Sequence, residues 1–194
     1  MTNDRDHDMI IGAAEAYLSR LSKVVAALDT AAFDAAIGLV KSAWDNGKQI
    51  IVFGNGGSAL TAQHFVTDWN KMIYLRTRKP FRGVCLAVNM GLVTAYGNDV
   101  SYDDVFLEQL KPVLNKDDLV IAISGSGNSK NVLRPVQYAN DNGGITLGLC
   151  GFDGGKLKRL ARHSICANVH DIQLSEDIHL MFGHMTVQTL CGLG

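Results

Sequence analysis

The sequence has little of what would commit it to a membrane, an oxidising compartment or nucleic acid. No apolar run approaches the ~20 residues that span a bilayer. Lys and Arg number 18 against 19 Asp and Glu, a formal charge of −1, so no global field attracts a polyanion or an anionic lipid surface. The 4 cysteines, Cys85, Cys150, Cys166 and Cys191, lie far apart with no CxxC pair. They read as buried free thiols rather than a disulfide framework or a zinc knuckle. With only 3 prolines, no repeat, no low-complexity tract and no linker, one domain over residues 1–194 is expected. The charged stretch from Met1 to Met9 lacks a following signal-type apolar segment, which points to the cytoplasm.

What is present is a core and an alternation. Hydrophobic residues make up 47% of 194 positions, enough to fill an interior without staples. Apolar spacings of three and four predict helices over Asp8 to Leu28 and Ala31 to Asp45, the second ended by Gly47. These two helices, within residues 1–47, pack on the core or at a subunit interface. Short apolar runs predict strands over Gln49 to Gly54, Gly83 to Val88, Asp118 to Ser124, Ile145 to Cys150 and Ser164 to Val169. Between and after them come helical patterns over Ser58 to Met72, Met90 to Gly97 with Tyr102 to Leu110, Ser129 to Asn142, Gly155 to Ala161, and Ser175 to Cys191. The alternation predicts a doubly wound α/β fold, a five-stranded parallel sheet flanked by helices.

Two loops follow predicted strands and open predicted helices. They are Gly54-Asn55-Gly56-Gly57-Ser58 and Ser124-Gly125-Ser126-Gly127-Asn128-Ser129. Glycines admit a ligand close to the backbone, while N–H groups and hydroxyls at a helix start converge on an anion. Neither loop has the Walker or GxGxxG spacing, so a monophosphate fits better than a nucleotide. A basic stretch at Arg76, Arg78, Lys79 and Arg82 reads either as a solvated loop or as a substrate-phosphate or subunit contact.

His64 and Asp68 stand four residues apart on one helix face, as a metal pair, an acid/base pair or a surface ion pair would. The last helix carries Glu176, Asp177, His179 and His184 among apolar residues. Glu176 and His179 lie about 60° apart around the axis and His179 and His184 about 140°, so the three do not easily meet one metal. Two histidines with carboxylates suit zinc or another borderline divalent cation, and a metal beside a carboxylate base suits proton transfer between neighbouring carbons.

These segments resemble the SIS (sugar isomerase) domain family and, within it, the sedoheptulose 7-phosphate isomerases or phosphoheptose isomerases. The matching stretches are Gly54 to Ala59, Ala62 to Phe65, Thr94 to Asp99, Ser126 to Ser129, Gly151 to Lys156, and Ile178-His179 through Gly183-His184. The resemblance implies a flavodoxin-like SIS fold and an aldose–ketose isomerase acting through an enediol. Its substrate site would comprise Asn55, Gly56, Gly57, Ser58, Asn98, Asp99, Ser124, Gly125, Ser126, Ser129 and Glu176. It implies one Zn2+ per subunit held by His64, Asp68, Glu176 and His184, with Asp68 and His184 as the acid/base pair. It selects His184 over His179, with Glu176 reaching inward from a frayed helix start and His179 left as a neighbour or subunit contact. A sugar phosphate as partner, a homotetramer, and heptose or surface polysaccharide synthesis complete the expectation, with no nucleic acid and no membrane.

The chain also departs from the family pattern. Asp68 replaces a usual glutamate, Glu176 a usual glutamine and Gly125 a usual threonine, and an arginine expected near Met72 is absent, leaving Lys71, Arg76 or Arg78 as substitutes. The alternatives are an isomerase of another sugar phosphate and a non-catalytic SIS module binding a protein such as a replication initiator.

Overall fold

The apolar runs become the interior of a five-stranded sheet in the computed structural model, which describes residues 12–193. The strands are β1 (Ile50–Gly54), β2 (Gly83–Cys85), β3 (Leu119–Ser124), β4 (Ile145–Cys150) and β5 (His163–Cys166). All pairs are parallel and the spatial order is β2-β1-β3-β4-β5. Every residue of β1 and β3 is buried, as expected for strands covered on both faces. The expected β2 stops at Cys85, three residues early, and β5 begins at His163 and ends at Cys166.

The helices are α1 (Ala13–Ala26), α2 (Thr30–Asp45), α3 (Gly57–Asp68), α4 (Tyr74–Thr77), α5 (Met90–Asp99), α6 (Val105–Leu110), α7 (Lys130–Asp141), α8 (Leu157–Leu160) and α9 (Ile172–Cys191). Part of the first expected helix, residues 8–11, lies outside the described residues, as does the Met1 to Met9 stretch. Asp29 caps α2 by accepting from Ala32 N at 3.1 Å, and Gly47 follows its end in the left-handed conformation, φ 64°. One core cluster packs α2, α3 and α9 on one face of the sheet through Phe33, Val40, Phe65, Trp69, Ile178 and Phe182. The other packs α6, α7 and α8 on the opposite face through Val105, Phe106, Val132, Val136 and Leu157. Helix α1 buries no side chain and touches α9 through the Tyr17 hydroxyl, which donates to Asp177 at 2.6 Å, and through an Arg20–Asp171 ion pair.

The chain turns one way from β1 to β2 and the other way from β3 to β4. The loops after β1 and β3 therefore diverge to opposite faces and open a crevice at the carboxyl ends of the strands, the usual ligand position in such sheets. No helix among the described residues is long and apolar enough to cross a membrane.

Candidate active site

The crevice is walled by the two loops. Asn55, Ser58, Ser124, Gly125, Ser126, Ser129, Phe152, Ile172 and Glu176 are among the residues around an open cavity of about 240 Å³. Ser124 Oγ accepts from Gly127 N at 3.1 Å and Ser126 Oγ from Asn128 N at 3.3 Å, which curls the second loop around its own hydroxyls. Ser129 occupies the N-cap position of α7 without making a capping bond, so its hydroxyl and the first N–H groups of the helix are available to an anion. Gly127 has φ 64°, and a Cβ there would lie 2.2 Å from Gly154 O. That glycine lets the second loop lie against the loop after β4, where Leu157 N donates to Gly127 O at 2.9 Å.

Among the described residues, no lysine, arginine or histidine lines this cavity, and Glu176 is its one ionisable side chain. The basic stretch works elsewhere. Lys79 bonds Asp45 at 3.2 Å and sits 4.6 Å over the Trp44 ring, Arg82 donates to Gly47 O, and Arg76 to Cys191 O. A larger cavity of about 340 Å³ opens at the amino ends of β3 and β4 beside Lys48 and Asp117, far from both serine loops. It offers no set of convergent hydroxyls, so the smaller cavity is the candidate site.

A second feature is formed where α3 meets α9. His64 Nε2 lies 3.0 Å from His184 Nε2 and 3.3 Å from Asp68 Oδ2. These three ligand atoms all fall within 4.8 Å of one another. Donors of a tetrahedral zinc at bond lengths of ~2.0–2.1 Å stand about 3.3 Å apart, so two nitrogens and one oxygen at these separations fit a divalent cation with an open position. Close approach of the helices makes the cluster possible. A Cβ on Gly183 would lie 2.2 Å from Phe65, so only glycine admits that ring against α9. Phe65 stacks on Trp69 with centroids 4.9 Å apart, and Trp69 Nε1 donates to Gly183 O at 3.1 Å, next to His184. Asp68 ends α3 where the chain passes into a π-helical turn, Trp69–Ile73, which the 3.6-residue pattern of the sequence did not distinguish.

A family model described as SIS domain matches residues 15–151. The chain belongs to the SIS domain family. The phosphoheptose isomerase of Aliarcobacter butzleri is 39% identical over 145 residues, covering 75% of this chain and 76% of that protein. That of Campylobacter concisus is 34% identical over 182 residues, covering 94% and 95%. The solved phosphoheptose isomerase of Neisseria gonorrhoeae superposes with a TM-score of 0.85 at 26% identity, over 94% of this chain and 97% of that one. That of Francisella tularensis superposes with a TM-score of 0.86 at 25% identity, over 96% and 98%.

In this SIS domain the expected site residues divide into groups. Asn55, Ser58, Ser124, Gly125, Ser126, Ser129 and Glu176 come together around the crevice. Gly56 and Gly57 open α3 at its rim. Asn98 and Asp99 end α5, exposed and bonded to each other at 2.7 Å, outside the residues that line the cavity. His64, Asp68 and His184 form the three-residue cluster, and Glu176 is not part of it. Its carboxylate lies over the start of α3, close enough that a Cβ on Gly57 would meet Oε1 at 2.3 Å. The expectation that Glu176 sits at a frayed helix start is corrected: α9 begins at Ile172, fixed by Asp171 accepting from Gln173 N and Leu174 N.

His179 is likewise corrected as a subunit contact. It is 1% exposed and points into the core, where neither ring nitrogen makes a hydrogen bond. Burial, opposed by the nearby Cys150 backbone, pushes its imidazole down to about 4, so it is neutral at pH 7. Four ionisable groups of α9 thus leave the helix in different directions: Glu176 to the crevice, Asp177 to Tyr17 of α1, His179 to the core and His184 to α3. Asn131 and Tyr102, which reasoning from the sequence did not single out, both bond the Asn55 side chain.

Proposed function

We propose that this SIS domain is a phosphoheptose isomerase interconverting sedoheptulose 7-phosphate and a heptose 7-phosphate. The observation that carries the reading is that the hydroxyl-lined crevice and the His/Asp/His cluster share two helices. His64 follows Ser58 by six residues on α3 and His184 follows Glu176 by eight on α9. At ~1.5 Å per residue these steps are about 9 and 12 Å along the helix axes. In an extended seven-carbon 7-phosphate with C–C bonds of ~1.5 Å, carbon 2 lies about 9 Å from phosphorus. That span matches the axial offset between the serine loops and the cluster, which supports phosphate at the one and the carbonyl end toward the other.

In this reading Ser58, Ser124, Ser126 and Ser129 hold the phosphate, and Asn55 and Glu176 meet the sugar. His64, Asp68 and His184 would hold a divalent cation such as Zn2+. When bound, that ion supplies Lewis-acid polarisation of a carbonyl. Asp68 Oδ2 and His184 Nε2 face the cluster, which leaves Asp68 Oδ1 and His184 Nδ1 for proton transfer. The Asp68 carboxylate takes a proton from carbon 1 of the ketose to give the enediol, exchanges it with solvent while the enediol lasts, and delivers a proton to carbon 2 to give the aldose. His184 exchanges the hydroxyl proton between oxygens 1 and 2, so protons balance over the cycle. The same proposal includes a homotetramer in the cytoplasm and a heptose destined for a surface polysaccharide. Exposed apolar side chains such as Leu18, Leu60 and Met90 support assembly.

The Glu176 carboxylate favours one second reading, an isomerase of a different sugar phosphate. A panel of ketose and aldose phosphates, assayed at equal zinc, decides between them. Conversion of sedoheptulose 7-phosphate at least tenfold faster than the others supports the first, and preference for a shorter sugar overturns it.

A further inference from the structure

The crevice is bridged at one point by side chains alone. Asn55 follows β1, whose helix packs on one face of the sheet, and Asn131 lies in the first turn of α7, on the other face. Their carboxamides exchange two hydrogen bonds: Asn55 Nδ2 donates to Asn131 Oδ1 at 2.8 Å and Asn131 Nδ2 to Asn55 Oδ1 at 2.8 Å. Tyr102, on the 3-10 turn Tyr102–Asp104, donates its hydroxyl to the same Asn55 Oδ1 at 3.1 Å. Asn131 is 3% exposed, whereas Tyr102 is 58% exposed.

A carboxamide oxygen has two acceptor positions and its nitrogen two protons. On Asn55 both acceptor positions are filled, one by Asn131 and one by Tyr102, and one proton is engaged. What remains to face the cavity is one N–H. We propose that Asn131 and Tyr102 are positioning residues that span the crevice and hold Asn55 as a pure hydrogen-bond donor to a sugar oxygen. This rests on the isomerase reading for the identity of the ligand, while the clamp is a property of the three side chains. An Asn55 free to rotate would present its oxygen half the time and would pay rotamer entropy on binding.

Tyr102→Phe removes one neutral hydrogen bond at an exposed ring and is expected to fold. It should lower kcat/KM for the sugar phosphate about three- to tenfold. Inhibition by inorganic phosphate, which uses the serine loops, should stay within twofold. In an Asn55→Ala background the same substitution should add less than twofold, because its effect passes through Asn55. An unchanged kcat/KM, a matching loss of phosphate inhibition, or a full effect without Asn55 would each overturn the clamp.

Exchange of the Asn55 side-chain amide protons, followed by NMR, needs no turnover. It should quicken at least tenfold in both Tyr102→Phe and Asn131→Ala, and equal exchange rates in all three proteins would overturn the clamp even if the isomerase reading holds. Fast exchange in the variants with no turnover in the unsubstituted protein would uphold the clamp and sink the isomerase reading.

Discussion

Glu176 is the most informative residue to change, because it puts a negative charge in a cavity proposed to bind a phosphate with no cation among its described lining residues. Glu176→Gln keeps the shape and removes the charge. For a phosphate among the serines at roughly 6 Å from the carboxylate, Coulomb's law at an effective dielectric constant of ~20–40 gives about 1.4–2.8 kcal/mol of repulsion per unit charge. Glu176 is half-buried and the cavity is open, so screening by salt and water keeps the effect near the lower end, about tenfold in affinity. The assay is titration calorimetry with inorganic phosphate at low salt, where the variant should bind about tenfold tighter and the gain should shrink as salt rises. Because Glu176 lies outside the His64, Asp68 and His184 cluster, zinc affinity should change less than threefold. Weaker phosphate binding by the variant would refute the charge argument, and a large loss of zinc would restore Glu176 as a metal ligand.

Gly183→Ala places a methyl group 2.2 Å from the Phe65 ring, against ordinary contacts of 3.4–4 Å, so α3 and α9 must part. It should cost about 1–3 kcal/mol in chemical denaturation and lower zinc affinity at least tenfold, whereas a local readjustment would leave zinc binding intact. His179 has its imidazole pushed down to about 4 from 6.5, so between those pH values the unfolded chain binds the extra proton and stability falls as pH falls. The loss is on the order of 3 kcal/mol by pH 4, and His179→Leu should flatten that part of the stability curve. An unchanged slope would mean His179 finds a partner when protonated. Gly127→Ala forces a side chain into φ 64° against Gly154 O and should weaken phosphate binding while costing about 1–2 kcal/mol or more.

The sheet was legible because its strands are nearly unbroken apolar runs, and β4 has the bounds the sequence implied, Ile145–Cys150. The position of the serine loops was legible for a related reason: strand-to-helix junctions at the carboxyl ends of a parallel sheet fall at its crevice. The direction of each group on α9 was not. Angular spacing paired Glu176 with His179, but the partner of α9 is decided by Gly183 and Phe65, which meet across well over a hundred positions of sequence. The π-helical turn at Trp69–Ile73 shifts the phase after Asp68, and no residue pattern in Ser58 to Met72 marks it. Asn131 carried a faint signal, a polar residue between a serine cap and an apolar Val132, but its partner Asn55 is visible only once β1 and β3 lie side by side.

Zinc-loaded protein incubated with sedoheptulose 7-phosphate in deuterium oxide tests the central claim most directly, with the product followed by NMR. The account predicts an aldose heptose 7-phosphate carrying deuterium at carbon 2, with exchange at carbon 1 of the recovered ketose, and loss of both in Asp68→Asn. No conversion and no exchange at either carbon by the unsubstituted protein would contradict it.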